Sequence, residues 1–235
     1  MKKDVLWMSM LPIYGVIFTL CLVITLLGNR VATVMSEASP LPDRVCIIID
    51  AGHGGVDGGA TACTGILESN LNLQYALRLE DMLHLLGYPT KMIRRTDASI
   101  YIQGDTIAAK KVSDLKERVR IVNETDNAIL ISIHQNYFPD DRYYGAQVFY
   151  ANTSGSKDLA ASMQSAIASY ADTANRRKIK SAHGIYLMDH IECTGILIEC
   201  GFISNPAEAA KLSTPDHQKR LCAIISATLA NYLES

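Results

Sequence analysis

The stretch Val45-Cys46-Ile47-Ile48-Ile49-Asp50-Ala51-Gly52-His53-Gly54-Gly55 decides the fold class of this 235-residue chain. A run of apolar, mostly β-branched residues is typical of a strand that is buried on both faces, and the glycines behind it let the backbone turn sharply. In an α/β sheet, ligands bind beyond the carboxyl ends of the strands. The stretch therefore predicts a buried strand that carries His53 to the mouth of such a sheet.

A glycine-rich loop after a strand can also bind phosphate, so the nucleotide-binding motifs have to be compared first. Asp57 stands where the third glycine of the dinucleotide motif should fall, and no Gly-Lys-Ser or Gly-Lys-Thr follows for a P-loop. The net charge of -2 gives no indication of a nucleic-acid partner. A single histidine in a loop is more often solvated than a ligand, so a functional His53 needs partners.

Candidate partners stand at the ends of other apolar segments. One apolar run ends in His134, another ends in Glu199, and Glu68 opens an amphipathic helix. Catalytic zinc sites use three histidine or carboxylate ligands and leave a fourth position open, which makes His53, Glu68 and His134 a candidate set. A carboxylate at the end of a hydrophobic strand is costly without a partner, so Glu199 is the candidate base beside the metal.

Four motif segments surround these residues. They are Asp50-Ala51-Gly52-His53-Gly54-Gly55, Glu68-Ser69-Asn70, Ser132-Ile133-His134-Gln135-Asn136 and the segment 198–208, which begins Ile-Glu-Cys-Gly-Phe. Together they resemble the zinc-dependent N-acetylmuramoyl-L-alanine amidases of the type 3 family, from about residue 44 to the carboxyl terminus. Within that family, an anchor followed by a bare catalytic domain is most similar to the germination-specific amidases of the spore cortex.

The resemblance implies the chemistry of the site. It implies that His53, Glu68 and His134 bind Zn²⁺ and that Glu199 is catalytic. The implied reaction is hydrolysis of the amide bond between N-acetylmuramic acid and L-alanine in peptidoglycan, which in the spore cortex precedes formation of muramic-δ-lactam. Gln135 departs from the family, because many relatives have alanine there.

Three more residues are expected around the site. Asp50 is expected to orient the ligand His53 without binding the metal itself. Asn136 and Arg95 are candidates for substrate contacts, and the segment Arg94-Arg95-Thr96-Asp97 is either a solvated loop or an Arg/Asp pairing that shapes the cleft.

The amino-terminal part of the chain has the composition of a membrane segment. Lys2 and Lys3 precede an uncharged stretch at 5–28 that is long enough to cross a hydrocarbon core of about 30 Å. The alternatives are an uncleaved anchor, which we favour because the apolar run exceeds a usual signal-peptide core, and a cleaved secretory signal. Both place the rest of the chain outside the cytoplasm, and the resemblance places it on the spore-envelope side of the forespore membrane.

The patterns divide the chain into three parts. Residues 1–35 are the predicted anchor or signal segment, 36–43 the linker and 44–235 the zinc amidase catalytic domain. Strand and helix patterns alternate in the third part, which predicts an α/β fold with one mostly parallel, twisted and helix-flanked sheet. Strands are expected at 88–94, 146–150 and 185–188, and helices after Glu68, around 112–122, at 156–170, after Asn205-Pro206 and after Thr214-Pro215.

Six cysteines in an extracytoplasmic chain raise the question of disulfide bonds. Cys21 lies in the predicted anchor, and Cys46 and Cys200 lie in predicted core strands. Cys63 and Cys193 are the pair to test, although reduced cysteines are the favoured interpretation.

Two other functions remain open on the residues alone. The chain could be a zinc peptidase or amidohydrolase that acts on another substrate, or a catalytically silent peptidoglycan-binding module. Glu199 argues against the silent module, which has no use for a carboxylate opposite an open metal position.

Control of the activity is also open. The patterns account for 44–235 as one domain, with no wall-binding repeat and no inserted helix that would block the metal. Restraint would then come from the anchor, from weak metal retention or from a separate extracytoplasmic accessory or activator protein.

Overall fold

The computed structural model describes residues 45–234, and the apolar run near the start of this range forms the strand β1 (Cys46–Ala51). Ile47, Ile48 and Ile49 are completely buried, as expected for a strand that is covered on both faces. The predicted anchor and linker lie outside the described residues. Within 45–234, no helix combines the length and the apolar character needed to cross a membrane.

The elements alternate as the sequence predicts. The strands after β1 are β2 (Thr90–Met92), β3 (Ala128–Asn136), β4 (Gln147–Tyr150), β5 (Lys180–Ser181) and β6 (Thr194–Phe202). The helices are α1 (Glu68–Leu85), α2 (Ile107–Asn123), α3 (Ser156–Tyr170), α4 (Tyr186–His190), α5 (Pro206–Leu212) and α6 (Pro215–Glu234).

The strands form one sheet in the order β2-β1-β3-β6-β4-β5. β2, β1, β3 and β6 are parallel to one another, whereas β4 runs antiparallel to β6 and β5 follows the direction of β4. The α/β fold with its helix-flanked sheet is confirmed. The mostly parallel character holds for the four strands at one side, and the sheet as a whole is mixed.

Alternating side chains give the sheet two faces with separate cores. Ile47, Ile131 and Ile198 point to the first face, where α1, α3 and α6 pack in the larger core. Ile48 and Leu130 point to the second face, where the smaller core includes residues of α2 and α4.

The strand order places a crevice at the carboxyl end of β1. The chain leaves β1 for β2 on one side and then returns to β3 on the other, so the direction of winding reverses between β1 and β3. Such a switch point is where open α/β sheets bind ligands. His53 follows β1 directly, and His134 lies near the end of β3.

The predicted helix starts at the two Pro-containing sites are confirmed. The Asn205 side chain accepts hydrogen bonds from the backbone of Ala207 and Glu208, and Pro206 occupies the first turn of α5. Thr214 precedes α6 in the same way, and its Oγ1 accepts from the backbone N–H of His217 at 3.4 Å. Both side chains satisfy N–H groups that a helix start leaves without partners.

The strand predicted at 185–188 is wrong, because Tyr186–His190 forms the short helix α4 and buries Leu187 and Met188 against the second face. A short apolar run fits a buried helical turn as well as a strand, so periodicity cannot separate the two.

The cysteines of the described region, Cys63 and Cys193 included, are free, so that pair is not joined in this structure.

We predict that Leu79→Ala destabilises the domain, whereas Leu85→Ala on the same helix does not. Leu79 is completely buried and Leu85 is 87% exposed. The buried truncation should cost about 2–5 kcal/mol of unfolding free energy, and the exposed one less than about 0.5 kcal/mol. Denaturant unfolding of the two variants tests this, and similar losses in both would contradict the packing described here.

Candidate metal centre

Three predicted ligands meet at the carboxyl edge of the sheet. One nitrogen of His53, one nitrogen of His134 and one oxygen of Glu68 all lie within 4.8 Å of one another. The Oε1 atom of Glu68 lies 3.3 Å from Nε2 of His53 and 3.0 Å from Nδ1 of His134. The loop after β1, the first residue of α1 and the end of β3 each supply one of these side chains.

Glycine is required where the ligands crowd the backbone. A Cβ atom on Gly52 would lie 2.1 Å from Nε2 of His134, and one on Gly59 would lie 2.6 Å from Oε2 of Glu68. Gly59 also has a φ of 67°, in the region that favours glycine. His53 itself has a φ of 60°, an uncommon conformation for a residue with a side chain.

The carboxylate of Glu68 is held from several sides. Its Oε2 accepts the backbone N–H of Ala60 at 3.0 Å, and its Oε1 accepts the backbone N–H of Gln135 at 3.2 Å. The amide of Asn72, one turn further along α1, donates to Oε1 at 3.3 Å and to the carbonyl of Gly52 at 3.1 Å. Glu68 is buried, so these bonds fix the direction in which it faces the histidines.

The electrostatics of the site favour a positive charge. Burial opposes protonation of His53, yet hydrogen bonds with Glu68 and Asp57 raise the pKa of its imidazole to about 9. Burial likewise opposes ionisation of Glu68, but the two histidines hold the pKa of its carboxyl well below the usual range. Two nitrogen donors and a carboxylate around a site that attracts positive charge are a suitable donor set for zinc.

Asp57, and not Asp50, contacts the imidazole of His53. Oδ2 of Asp57 lies 3.0 Å from Nδ1 of His53, and its Oδ1 forms an ion pair with Lys111 at 2.7 Å. This contact leaves Nε2 of His53 facing Glu68. The role expected for Asp50 in orienting His53 stays a prediction. Asp57 stands four residues after His53, a spacing that carries no recognisable signal in a loop.

Asp50 instead forms a buried ion pair with Arg118 on α2. The guanidinium of Arg118 donates to the carbonyls of Ala51 and His53 at 3.0 and 2.8 Å. Arg94 is also buried, and it donates to the carbonyls of Ala51 and Gly52 at 2.8 and 3.0 Å. Two buried arginines thus hold the three consecutive carbonyl groups that lead into the loop of His53.

The other residues expected around the site have different surroundings. Arg95 is directed to Glu80 on α1 at 2.5 Å, and its side chain is 62% exposed, so its neighbour Arg94 is the arginine that reaches the site loop. The backbone carbonyl of Asn136 accepts the N–H of Ile203, which ties the end of β3 to the segment after β6. The substrate contacts expected for Arg95 and Asn136 stay predictions.

Glu199 lies beside the three candidate ligands. It is paired in register with His134 across β3 and β6, so the two side chains leave the same face of the sheet. Its Oε2 atom is buried and has no hydrogen-bond partner. Burial raises the pKa of the Glu199 carboxyl to about 7, and nearby Glu68 adds to the shift while the histidines oppose it. A carboxyl group of this kind can take up and release a proton near neutral pH.

A cavity of about 240 Å³ adjoins this group of residues on the second face of the sheet. His53 and His134 border it, and Lys110, Asp114 and Tyr186 contribute to its walls.

Comparison with known proteins identifies the family. The model of the N-acetylmuramoyl-L-alanine amidase family matches residues 47–231, a range that includes His53, Glu68, His134 and Glu199. The chain belongs to this family. It is an N-acetylmuramoyl-L-alanine amidase, and its substrate bond is therefore one found in peptidoglycan.

Individual relatives agree with this assignment. The germination-specific N-acetylmuramoyl-L-alanine amidase of Bacillus subtilis is 33% identical over 234 residues, which cover 99% of this amidase and 96% of the relative. The CwlD amidase of Clostridioides difficile, solved in complex with the GerS lipoprotein, has a TM-score of 0.78 and 33% identity, covering 81% of this chain and 99% of that one. A further N-acetylmuramoyl-L-alanine amidase, from Clostridium difficile 630, has a TM-score of 0.72 and 31% identity, over 82% and 98% of the two chains.

We predict that Gly52→Ala lowers the metal affinity of the amidase without unfolding it. The added methyl group would occupy the place of the His134 imidazole, so that ring has to move. Displacing one ligand should weaken metal binding by about 10- to 100-fold, the range seen when the support of a ligand is lost. Competition with a chelator measures the change.

Gly58→Ala is the matched control in the same loop. Its Cβ would meet only the flexible end of Leu67 at 3.3 Å, so metal affinity should stay close to that of the unaltered protein. Unchanged affinity in Gly52→Ala would show that His134 is not a ligand in the position described.

Proposed function

We propose that this amidase is zinc-dependent and removes peptides from spore-cortex peptidoglycan, the step that precedes formation of muramic-δ-lactam. His53, Glu68 and His134 would hold the zinc ion, and Glu199 would be the general base. The observation that carries the proposal is the partnerless, buried Oε2 of Glu199 beside three converging ligand atoms. A buried carboxylate oxygen without a partner is costly in a site that has no use for it.

The residues of the site fit zinc in kind and in number. Two imidazoles and one carboxylate can form a three-ligand catalytic zinc site. Gly52 and Gly59 leave the space that His134 and Glu68 occupy, because a Cβ atom at either position would overlap those side chains. Bound zinc would supply Lewis acidity for the amide carbonyl and make a water molecule acidic enough to react near neutral pH.

The chain's own groups would then handle the protons. Glu199 takes a proton from the attacking water and returns it to the departing amine, because an amide anion is a poor leaving group. Asp57 holds Nδ1 of His53, which keeps the other ring nitrogen directed to the metal position. The two buried arginines keep the loop of His53 in place during the reaction.

The spore-cortex role is supported by the relatives. The Bacillus subtilis enzyme is named as germination-specific and matches this amidase along nearly its whole length. No observation favours the alternatives of another amidohydrolase substrate or a silent binding module. We also propose that 1–35 anchor the enzyme, that 36–43 form the linker and that 44–235 form a catalytic domain outside the cytoplasm, on the spore-envelope side of the forespore membrane.

We predict that Glu199→Gln folds and binds zinc but is nearly inactive. The substitution keeps the shape of the side chain and removes its ability to accept a proton, so turnover of peptidoglycan should fall by about 10²-fold or more. His134→Ala should instead lose zinc and activity together. Zinc analysis combined with mass spectrometry of the digested peptidoglycan separates the two effects. Near-normal turnover in Glu199→Gln would assign the base to another residue, and full activity of metal-free protein would refute the zinc proposal.

We propose further that a separate extracytoplasmic protein assists this amidase. The structure of the Clostridioides difficile relative contains the GerS lipoprotein, which supports such a partner for this chain. A membrane anchor restricts where the enzyme acts, whereas a partner can also restrict when it acts.

The accessory protein has its own test. We predict that the purified, zinc-loaded full-length amidase, kept in detergent, is weakly active on matching peptidoglycan and gains activity when an extracytoplasmic fraction is added. Release of peptide from the glycan is the measurement. Full activity without any addition would remove the need for a partner.

A further inference from the structure

We infer that a patch of aromatic side chains next to the active site binds the glycan strand of peptidoglycan. The patch, here the aromatic loop, is residues 137–144, between β3 and β4. Four of its eight side chains are aromatic and strongly exposed: Tyr137 (54%), Phe138 (44%), Tyr143 (43%) and Tyr144 (51%). Contiguous exposed aromatic surface of this kind is typical of a binding site. The inference extends the proposed function to the sugar side of the substrate.

The aromatic loop is fixed to the catalytic edge of the sheet. It begins directly after β3, three residues beyond His134. The backbone N–H of Phe138 donates to Oγ of Ser204 at 3.1 Å, and the amide of Asn205 donates to the carbonyl of Asp141 at 2.7 Å. Ser204 and Asn205 follow β6, the strand that carries Glu199, so the loop is held beside both strands of the active site.

The rings form a continuous strip that leads towards Glu199. The centroids of Phe138 and Tyr143 are 4.4 Å apart, those of Tyr143 and Phe202 are 6.0 Å apart, and the guanidinium of Arg177 lies 4.3 Å from the ring of Phe202. Arg177 also contacts Gln147 at 3.4 Å.

Gln147 connects this strip to the proposed base. It is paired directly with Glu199 across β4 and β6, so both side chains leave the same face of the sheet at neighbouring positions. The strip therefore begins with the buried Gln147 beside Glu199, passes the buried Phe202 and reaches the surface at the exposed rings of the aromatic loop.

The chemistry of the strip suits a sugar. A hexose ring has an apolar face of C–H groups and a rim of hydroxyl groups, so it can lie against an aromatic ring while its rim is hydrogen-bonded. Arg177 takes part in none of the ion pairs found among the described residues, and its Nε donates to the carbonyl of Tyr144 at 2.6 Å. Its remaining N–H groups are placed to donate to hydroxyl or acetamido oxygens.

The glycan is the occupant that the position favours. The scissile bond of an N-acetylmuramoyl-L-alanine amidase is attached to a sugar of the strand, so that sugar must lie at the metal centre and its neighbours must continue across the adjacent surface. The aromatic loop begins three residues after His134, and its four aromatic side chains are exposed. The cavity near Lys110 and Tyr186 is bordered by His53 and His134, and no residue of the aromatic loop lines it.

The test compares a polymer with a single unit. The substrates are peptide-bearing glycan strands and a single N-acetylmuramoyl peptide, and the full-length, zinc-loaded protein carries Tyr143→Ala or Tyr137→Ala. We predict that each variant raises KM for the strands by about tenfold, the effect of losing one aromatic contact. The factor by which KM rises for the strands should be at least five times the factor for the single unit. Binding of peptide-free glycan should weaken to the same extent. Tyr170→Ala, at the exposed end of α3, is the matched control and should change neither value.

Equal losses on both substrates, or no loss on the strands, would overturn the inference. Normal cleavage of strands with a lost response to the extracytoplasmic fraction would also overturn it and assign the loop to a protein partner. If Tyr143→Ala unfolds, as judged by thermal denaturation, Tyr137→Ala decides, because its ring is in none of the stacked pairs. If the unaltered protein cleaves neither substrate, the proposed function fails, and the binding of peptide-free glycan alone decides this inference.

Discussion

The buried carboxylate of Glu68 is the constraint on which the active site depends. It faces His53 and His134 with one oxygen and accepts backbone N–H groups from Ala60 and Gln135. The loop after β1, the start of α1 and the end of β3 therefore meet on one side chain. A shift of one residue in the pairing of β1 and β3 would turn His134 to the other face of the sheet and break the group apart.

A buried ion pair balances charge behind this centre. Asp50 is paired with Arg118, and burial disfavours its charged form, yet Arg118 and His134 together with Ser132 hold the pKa of the Asp50 carboxyl below its usual value. Removing Arg118 would leave the buried Asp50 carboxylate without its ion-pair partner, which is strongly destabilising. The pair also serves the site, because Arg118 donates to the carbonyl of His53.

Gln135 supports the carboxylate of Glu68 through both its backbone and its side chain. Its backbone N–H donates to Glu68, and its side-chain amide donates to Oδ1 of Asn72 at 3.2 Å. Asn72 in turn donates to Glu68. The side chain of Gln135 therefore adds a link to the network that fixes the carboxylate.

The sequence by itself determined the features that arise from local patterns. The apolar run at 46–51 specified a buried strand, the alternation of patterns specified an α/β sheet, and Asn205-Pro206 specified a helix start. The motifs also picked out the four residues that the structure brings together, because glycine, histidine and glutamate at strand ends are recognisable one segment at a time.

Only the tertiary structure decided which groups support them. Asp57 contacts the imidazole of His53, Arg94 and Arg118 donate to carbonyls as far as 43 and 67 residues away, β4 runs antiparallel to β6, and Tyr186–His190 forms a short helix. Periodicity reports which face of an element is buried, but it does not report which distant side chain reaches that face. The rings of the aromatic loop likewise line up with Phe202 only because the end of β6 places that side chain beside Tyr143.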